Sequence, residues 1–200
     1  MQNRQNPILA EEDRQRAGLW SLPASLLANP PSSETLKILA NLEGDESDLG
    51  QALAKLGNAA AKLTPEQAEE EFNALFIGVT QGEFLPYASH YLTGFLNDVP
   101  LAKLRDTLDA LGVGRADSCF ELEDHIAFLC EVMSGLIVGR FGTSAEISTQ
   151  RDFFDKHMAP WVGQFFTDLA ENKISDFYAA VGTIGGILTN IEREAFAMAA

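Results

Sequence analysis

Glu121, Glu123, Asp124 and His125 are where this sequence gathers groups that could do chemistry. Three carboxylates beside an imidazole allow several roles. A carboxylate pair does acid–base work when burial shifts one member. Glu121, Asp124 and His125 have the right donor atoms for a metal. Acids at the start of a helix also simply complement its positive end. The metal reading is weakened because neighbouring residues diverge around a helix, and the other histidines, His90 and His157, lie on separate segments. Cys119 and Cys130 lack CxxC spacing, and Cys130 falls inside an apolar run, as a small buried hydrophobe would. Ser89 next to His90 is not a nucleophile–base pair by adjacency, and a surface or capping role fits it better. There is no GxxxxGK[ST] phosphate loop, no GxGxxG after a strand, no HExxH and no GxSxG elbow.

The element that must carry this cluster follows it. Ile126, Leu129, Met133 and Leu136 step by three and four, which makes one helical stripe. Glu121, Asp124, Phe128 and Glu131 form a second row at the same spacing. The pattern predicts a helix beginning near Glu121, with one side buried and carboxylates on another. Around it the same periodicity predicts further helices. One runs from about 9 to 22, its end disturbed by Pro23, with Ser25 to Ala28 adding a further turn. Others are capped at Ser32 or Ser33, at Ser47, and at Thr64, where Pro65 and Gln67 complete a capping box. Asp98 and Pro100 open a helix that Gly112 and Gly114 close; Ser144 caps another, and Ser175 caps the last. Gly182, Gly185 and Gly186 weaken that last helix and admit a close neighbour. Strand-like alternation is absent. The expectation is an all-α fold, a single compact multi-helix bundle spanning residues 1–200 with a frayed start over the first ten or so.

Fourteen basic against 29 acidic residues give a net charge of −15 in a 200-residue chain. Nucleic acid is an unsuitable partner for such a surface, and so is an anionic membrane. A basic peptide or protein patch is the natural complement, with plain solubility as the simpler account. No signal-peptide pattern and no apolar run near the ~20 residues of a membrane span occur. Together with two unpatterned cysteines, this gives the expectation of a cytoplasmic protein.

Four ordered motifs then resemble the TorD/DmsD/NarJ family of redox-enzyme maturation chaperones. They are Phe72-Asn73-Ala74-Leu75-Phe76-Ile77-Gly78; Pro86-Tyr87-Ala88-Ser89-His90-Tyr91; Glu121-Leu122-Glu123-Asp124-His125; and His157-Met158-Ala159-Pro160-Trp161 with Phe165, Phe166 and Phe177-Tyr178. The third departs from the family's Glu-Pro-x-Asp-His by Leu122 in place of proline. The resemblance covers roughly residues 65 to 195. It implies a TorD-like, non-enzymatic chaperone that binds the twin-arginine leader and apo form of a molybdenum-containing oxidoreductase. Cofactor insertion and export would then proceed, with no resident cofactor or metal in the chaperone. Tyr87, Ser89, Tyr91, Glu121, Asp124 and His125 are the implied peptide-binding residues. Guanidinium pairs with carboxylates, and phenols add acceptors and cation-binding faces. An apolar leader segment would lie beside the acids. His125 either braces the loop around Tyr87 or is a satisfied interior histidine, while Trp161 and Phe165 belong to the core. A small helical enzyme using Glu121, Asp124 and His125 is the rival reading. The chain is expected as a monomer or a domain-swapped dimer, with glycine-rich breaks at 112–114 and 139–142 as hinges.

Overall fold

Capping chemistry sets most of the element boundaries. Thr64 Oγ1 accepts from Gln67 N at 3.3 Å while Gln67 Oε1 accepts from Thr64 N at 3.0 Å, so the capping box is fully formed. Ser32 and Ser47 accept the amides of Thr35 and Gly50. Ser175 Oγ accepts Tyr178 N at 3.0 Å at the start of the longest helix. The computed structural model describes residues 10–78, 82–114, 121–142 and 144–198. Residues 1–9, including the expected frayed Met1–Asn6, lie outside them, as do Cys119 and the connector at 115–120.

Within the described residues the chain forms ten α-helices and no strand. They are α1 (Glu11–Ala28), α2 (Ser33–Leu39), α3 (Asp48–Ala60), α4 (Pro65–Phe72), α5 (Ala88–Thr93), α6 (Val99–Leu111), α7 (Ile126–Val138), α8 (Ile147–Phe153), α9 (Val162–Ala170) and α10 (Asp176–Met198). Single π turns, Asn73–Ile77 and Phe154–Met158, extend α4 and α8. Gly78 leaves the first of these at φ 62°, a conformation that favours glycine. Helix α7 is central. It lies along α1 and is buried on nearly every side, Cys130 included. Burial pushes the Cys130 thiol far up, so it acts as packing, not as a nucleophile. Trp161 and Phe165 are core residues, as expected.

Three boundaries differ from the sequence reading. Pro23 lies inside α1, which runs unbroken to Ala28; Pro23, Ala24, Leu26 and Leu27 are buried, so packing offsets the roughly 3 kcal/mol that an internal proline costs. Ser144 does not cap α8. Ala145 N is bonded to Leu136 O at 2.8 Å, which keeps this segment extended and delays the helix to Ile147. Helix α7 starts at Ile126, not near Glu121, with His125 as its cap. The glycine expectation holds for two of three positions. A Cβ on Gly182 would sit 2.4 Å from Ala170 N, and one on Gly185 2.3 Å from the Phe166 ring, so both let α9 approach α10. Gly186 faces open space.

Candidate functional site

The acids do not ride on α7; they form the turn before it, and that turn is stitched to the start of α5. Ala88 N donates to Asp124 O at 3.0 Å, and Ile126 N donates to Pro86 O at 2.8 Å. Tyr87 and His125 thus face each other in a lone antiparallel bridge. Helix α5 has no cap of its own, because Tyr87 offers no side-chain acceptor. Asp124 supplies it from 35 positions away: its Oδ2 accepts Ser89 N at 2.8 Å. Its second oxygen, Oδ1, is buried and has no hydrogen-bond partner among the described residues.

The six implied residues are brought together unequally. Glu121 is exposed and accepts the Tyr87 hydroxyl. Tyr87 and Tyr91 are half-buried. Burial first, then the adjoining carboxylates, Glu121 for one and Asp168 for the other, push both phenol pKa values far up, so both stay protonated donors. Tyr91 turns away from the acids. Its hydroxyl donates to Asp168 Oδ2 at 3.1 Å, and its ring packs on Trp161 and Phe165. Asp124 and Ser89 are both 0% exposed. Ser89 is therefore not a surface residue; its Oγ accepts Asp98 N at 3.3 Å and fixes the turn into α6.

His125 does brace the loop around Tyr87. Its ring meets the Tyr87 ring edge-on at 5.0 Å, and Nδ1 accepts Ala127 N at 3.2 Å, capping α7. Burial drives its pKa down to about 4, against the opposing pull of Glu121 and Asp124, so it is neutral at ordinary pH. With Nδ1 occupied in this way, and no group of three or more metal-binding side chains among the described residues, the cluster lacks the layout of a metal centre. Glu123 is held by Arg105 from α6, at 3.1 Å to Nε and 2.7 Å to Nη2.

The sequence reading missed what lies at the other end of α5. Leu92, Phe95, Leu96 and Val99 are exposed by 44, 71, 46 and 56%. Leu92 and Val99 line a pocket of about 510 Å³ between α5 and α6, together with Pro100, Leu104, Thr107 and His157, and with Lys103 and Lys156. Gly94 at φ 82° and Asn97 at φ 56° bend the segment outward. The sequence signal pointed the other way: Leu92, Phe95, Leu96 and Val99 fall at i, i+3, i+4 and i+7, the spacing of a buried helical stripe, and only Gly94 and Asn97 hint that a turn breaks it.

The all-helical fold is similar to that of a redox enzyme maturation protein. The crystal structure of one from Archaeoglobus fulgidus superposes with a TM-score of 0.60 at 18% identity, covering 94% of this chain and 99% of that one. A sequence model described as nitrate reductase delta subunit matches residues 42–167, so the chain belongs to that family, to which the TorD and NarJ proteins belong. Proteins named chaperone protein TorD are similar along most of the chain. The one from Aliivibrio fischeri is 30% identical over 190 residues, covering 84% of this chain and 88% of its own. The one from Vibrio atlanticus is 27% identical over 193 residues, with coverages of 86 and 90%. The chain is a redox-enzyme maturation chaperone, not an enzyme.

Proposed function

We propose that the chain binds the twin-arginine leader of an unfinished molybdenum-containing oxidoreductase in the cytoplasm and holds the apoenzyme until its cofactor is inserted and export proceeds. The observation that carries this reading is the pairing of opposite chemistries at the two ends of α5. Exposed Glu121 and the Tyr87 phenol stand at its start, and four exposed apolar side chains stand at its end. Six residues at 1.5 Å each separate the ends by roughly 9 Å. A leader with arginines followed by an apolar stretch carries the complementary order. A carboxylate accepts several hydrogen bonds, so Glu121 can take a guanidinium while keeping Tyr87. Asp124 acts from beneath, holding the first turn of α5 in place and adding a charge that water does not screen. Patches as apolar as the 92–99 segment mark interaction surfaces.

Calorimetric titration with a twin-arginine leader peptide tests this. Saturable binding is expected, weakening with salt, and falling by roughly tenfold for Glu121→Gln or for a Lys–Lys peptide. Phe95→Ser should weaken binding without altering the salt slope. Binding indifferent to all of these changes would overturn the assignment.

A further inference from the structure

Another cavity lies between α9 and α10 and shares no lining residue with the apolar pocket beside α5. Its volume is about 330 Å³, at the small end of the range for small-molecule sites. Arg193 stands on its α10 wall. Nη1 donates to Asn190 Oδ1 at 3.3 Å and Nη2 to the Ala159 carbonyl at 3.4 Å, both neutral acceptors. Among the described residues Arg193 forms no ion pair, although the chain has 29 acidic residues against 14 basic. A guanidinium carries five N–H donors, so most of them are unspent, and so are those on Asn190 Nδ2. The α9 wall is the reverse. Gln164 donates from Nε2 to Asp168 Oδ1 at 2.6 Å, and Thr167 gives its proton to the Gly163 carbonyl at 2.9 Å. What these two have left are acceptors, Gln164 Oε1 and Thr167 Oγ1. Asp168, beside them, is already engaged by Gln164 and by the Tyr91 hydroxyl. Each pair is spaced by three on its helix, so each presents one face. A cationic donor wall thus stands across from an acceptor wall. Gly186, also on the lining, keeps the space between them open. Glycine weakens a helix interior, and at Gly182 and Gly185 close packing against α9 demands it. At Gly186 no neighbouring atom lies within 4 Å of an added Cβ, so packing gives no reason for it.

We infer that this cleft binds a small carboxylate that carries an amine or a hydroxyl on the adjacent carbon. The Arg193 guanidinium takes the carboxylate through its planar fork, and Asn190 adds a donor. Gln164 and Thr167 accept from the amine or hydroxyl. A plain carboxylate leaves the acceptor wall unpaired, and a plain amine leaves the arginine unpaired, so each binds less well. The inference is independent of leader binding.

Nuclear magnetic resonance titration of the full chain with glycine, glycolate, acetate and methylamine tests it, read at the backbone amides of Gly163 and Gly186. Glycine or glycolate should give saturable shifts at both amides, and the tighter of the two shows whether the amine or the hydroxyl is preferred. Acetate should bind roughly fivefold more weakly than that ligand, and methylamine weaker still. Arg193→Gln changes an exposed side chain and should lower the affinity roughly tenfold. Gly186→Leu places a side chain in the open space and should abolish binding, while the melting temperature holds or rises. Lys37→Gln removes an exposed positive charge outside the cleft and should leave binding intact. Saturation by neither glycine nor glycolate, acetate or methylamine binding as tightly as both, full affinity in the Arg193→Gln or Gly186→Leu variant, or an equal loss in Lys37→Gln would each overturn the assignment.

Discussion

Among the described residues two carboxylates are sealed inside this molecule, and they are treated in opposite ways. Glu192 of α10 is 1% exposed and fully engaged. Arg16 Nη2 donates to Oε2 at 3.0 Å, Arg16 Nε to Oε1, and Trp20 Nε1 to Oε1 at 3.0 Å, so the acid locks α1 to α10. Asp124 is 0% exposed, accepts Ser89 N with one oxygen, and leaves the other without a partner among the described residues. A buried charge is tolerated when paired and hydrogen-bonded, and is costly otherwise. The first acid is a fastener. The second keeps a cost that a purely structural residue would have shed, and it does so directly beneath the rim that carries Glu121. Half-satisfied burial beside an exposed acid is what supports the proposal that the α5 end of the molecule is a place for binding.

The comparison can be broken or sharpened by experiment. Glu192→Ala removes the partner of both Arg16 and Trp20 and should cost about 3 kcal/mol in urea unfolding, with leader-peptide affinity unchanged where the protein is folded. Loss of peptide binding in that variant, measured below its melting point, would blur the distinction. Gly182→Ala drives a methyl onto the backbone of α9 and should cost about 2 kcal/mol by the same measurement, again without touching binding. Asp124→Asn keeps an acceptor for Ser89 N and the same shape. It should change stability by no more than about 1 kcal/mol, yet weaken the leader peptide roughly tenfold. Normal peptide binding by the Asp124→Asn variant would make Asp124 a fastener like Glu192.

The smallest effect is one of pH. His125 titrates near 6.5 when unfolded and at about 4 when folded, because burial favours its neutral form. Between those values the unfolded chain binds the extra proton, so its contribution to stability is complete above pH 6.5 and is lost as the pH falls toward 4. Melting temperatures across this window should decline with acid, and His125→Asn, which retains an acceptor for the α7 cap, should flatten part of the decline.

Local chemistry was legible in the sequence and long-range chemistry was not. The Thr64–Gln67 capping box and the caps at Ser32, Ser47 and Ser175 could be read because donor and acceptor lie within three positions. The α7 stripe could be read because it repeats. Pro23 was misread because propensity knows nothing of the buried face that holds α1 straight. The head of α7 was misplaced because Glu121 and Asp124 continue the helical spacing of Phe128 and Glu131, whereas Asp124 lies in the turn before α7 and caps α5, bonding to an amide 35 residues earlier. The six implied residues converge on α5 and the turn before α7, but sequence could not tell exposed Glu121 from enclosed Asp124 and Ser89. Nor could it place Tyr91 against Asp168.

Helix α5 has six residues, fewer than an isolated helix needs to persist in water, and its first amides are held only by the segment that leads into α7. It therefore has no independent existence. During synthesis the rim is assembled only once the chain has been made past residue 126, and it dissolves as soon as α7 loosens. On the proposed reading of the rim, a heat-damaged or half-made copy would let go of a client instead of trapping it, and readiness to bind would double as a check on the chain's own integrity.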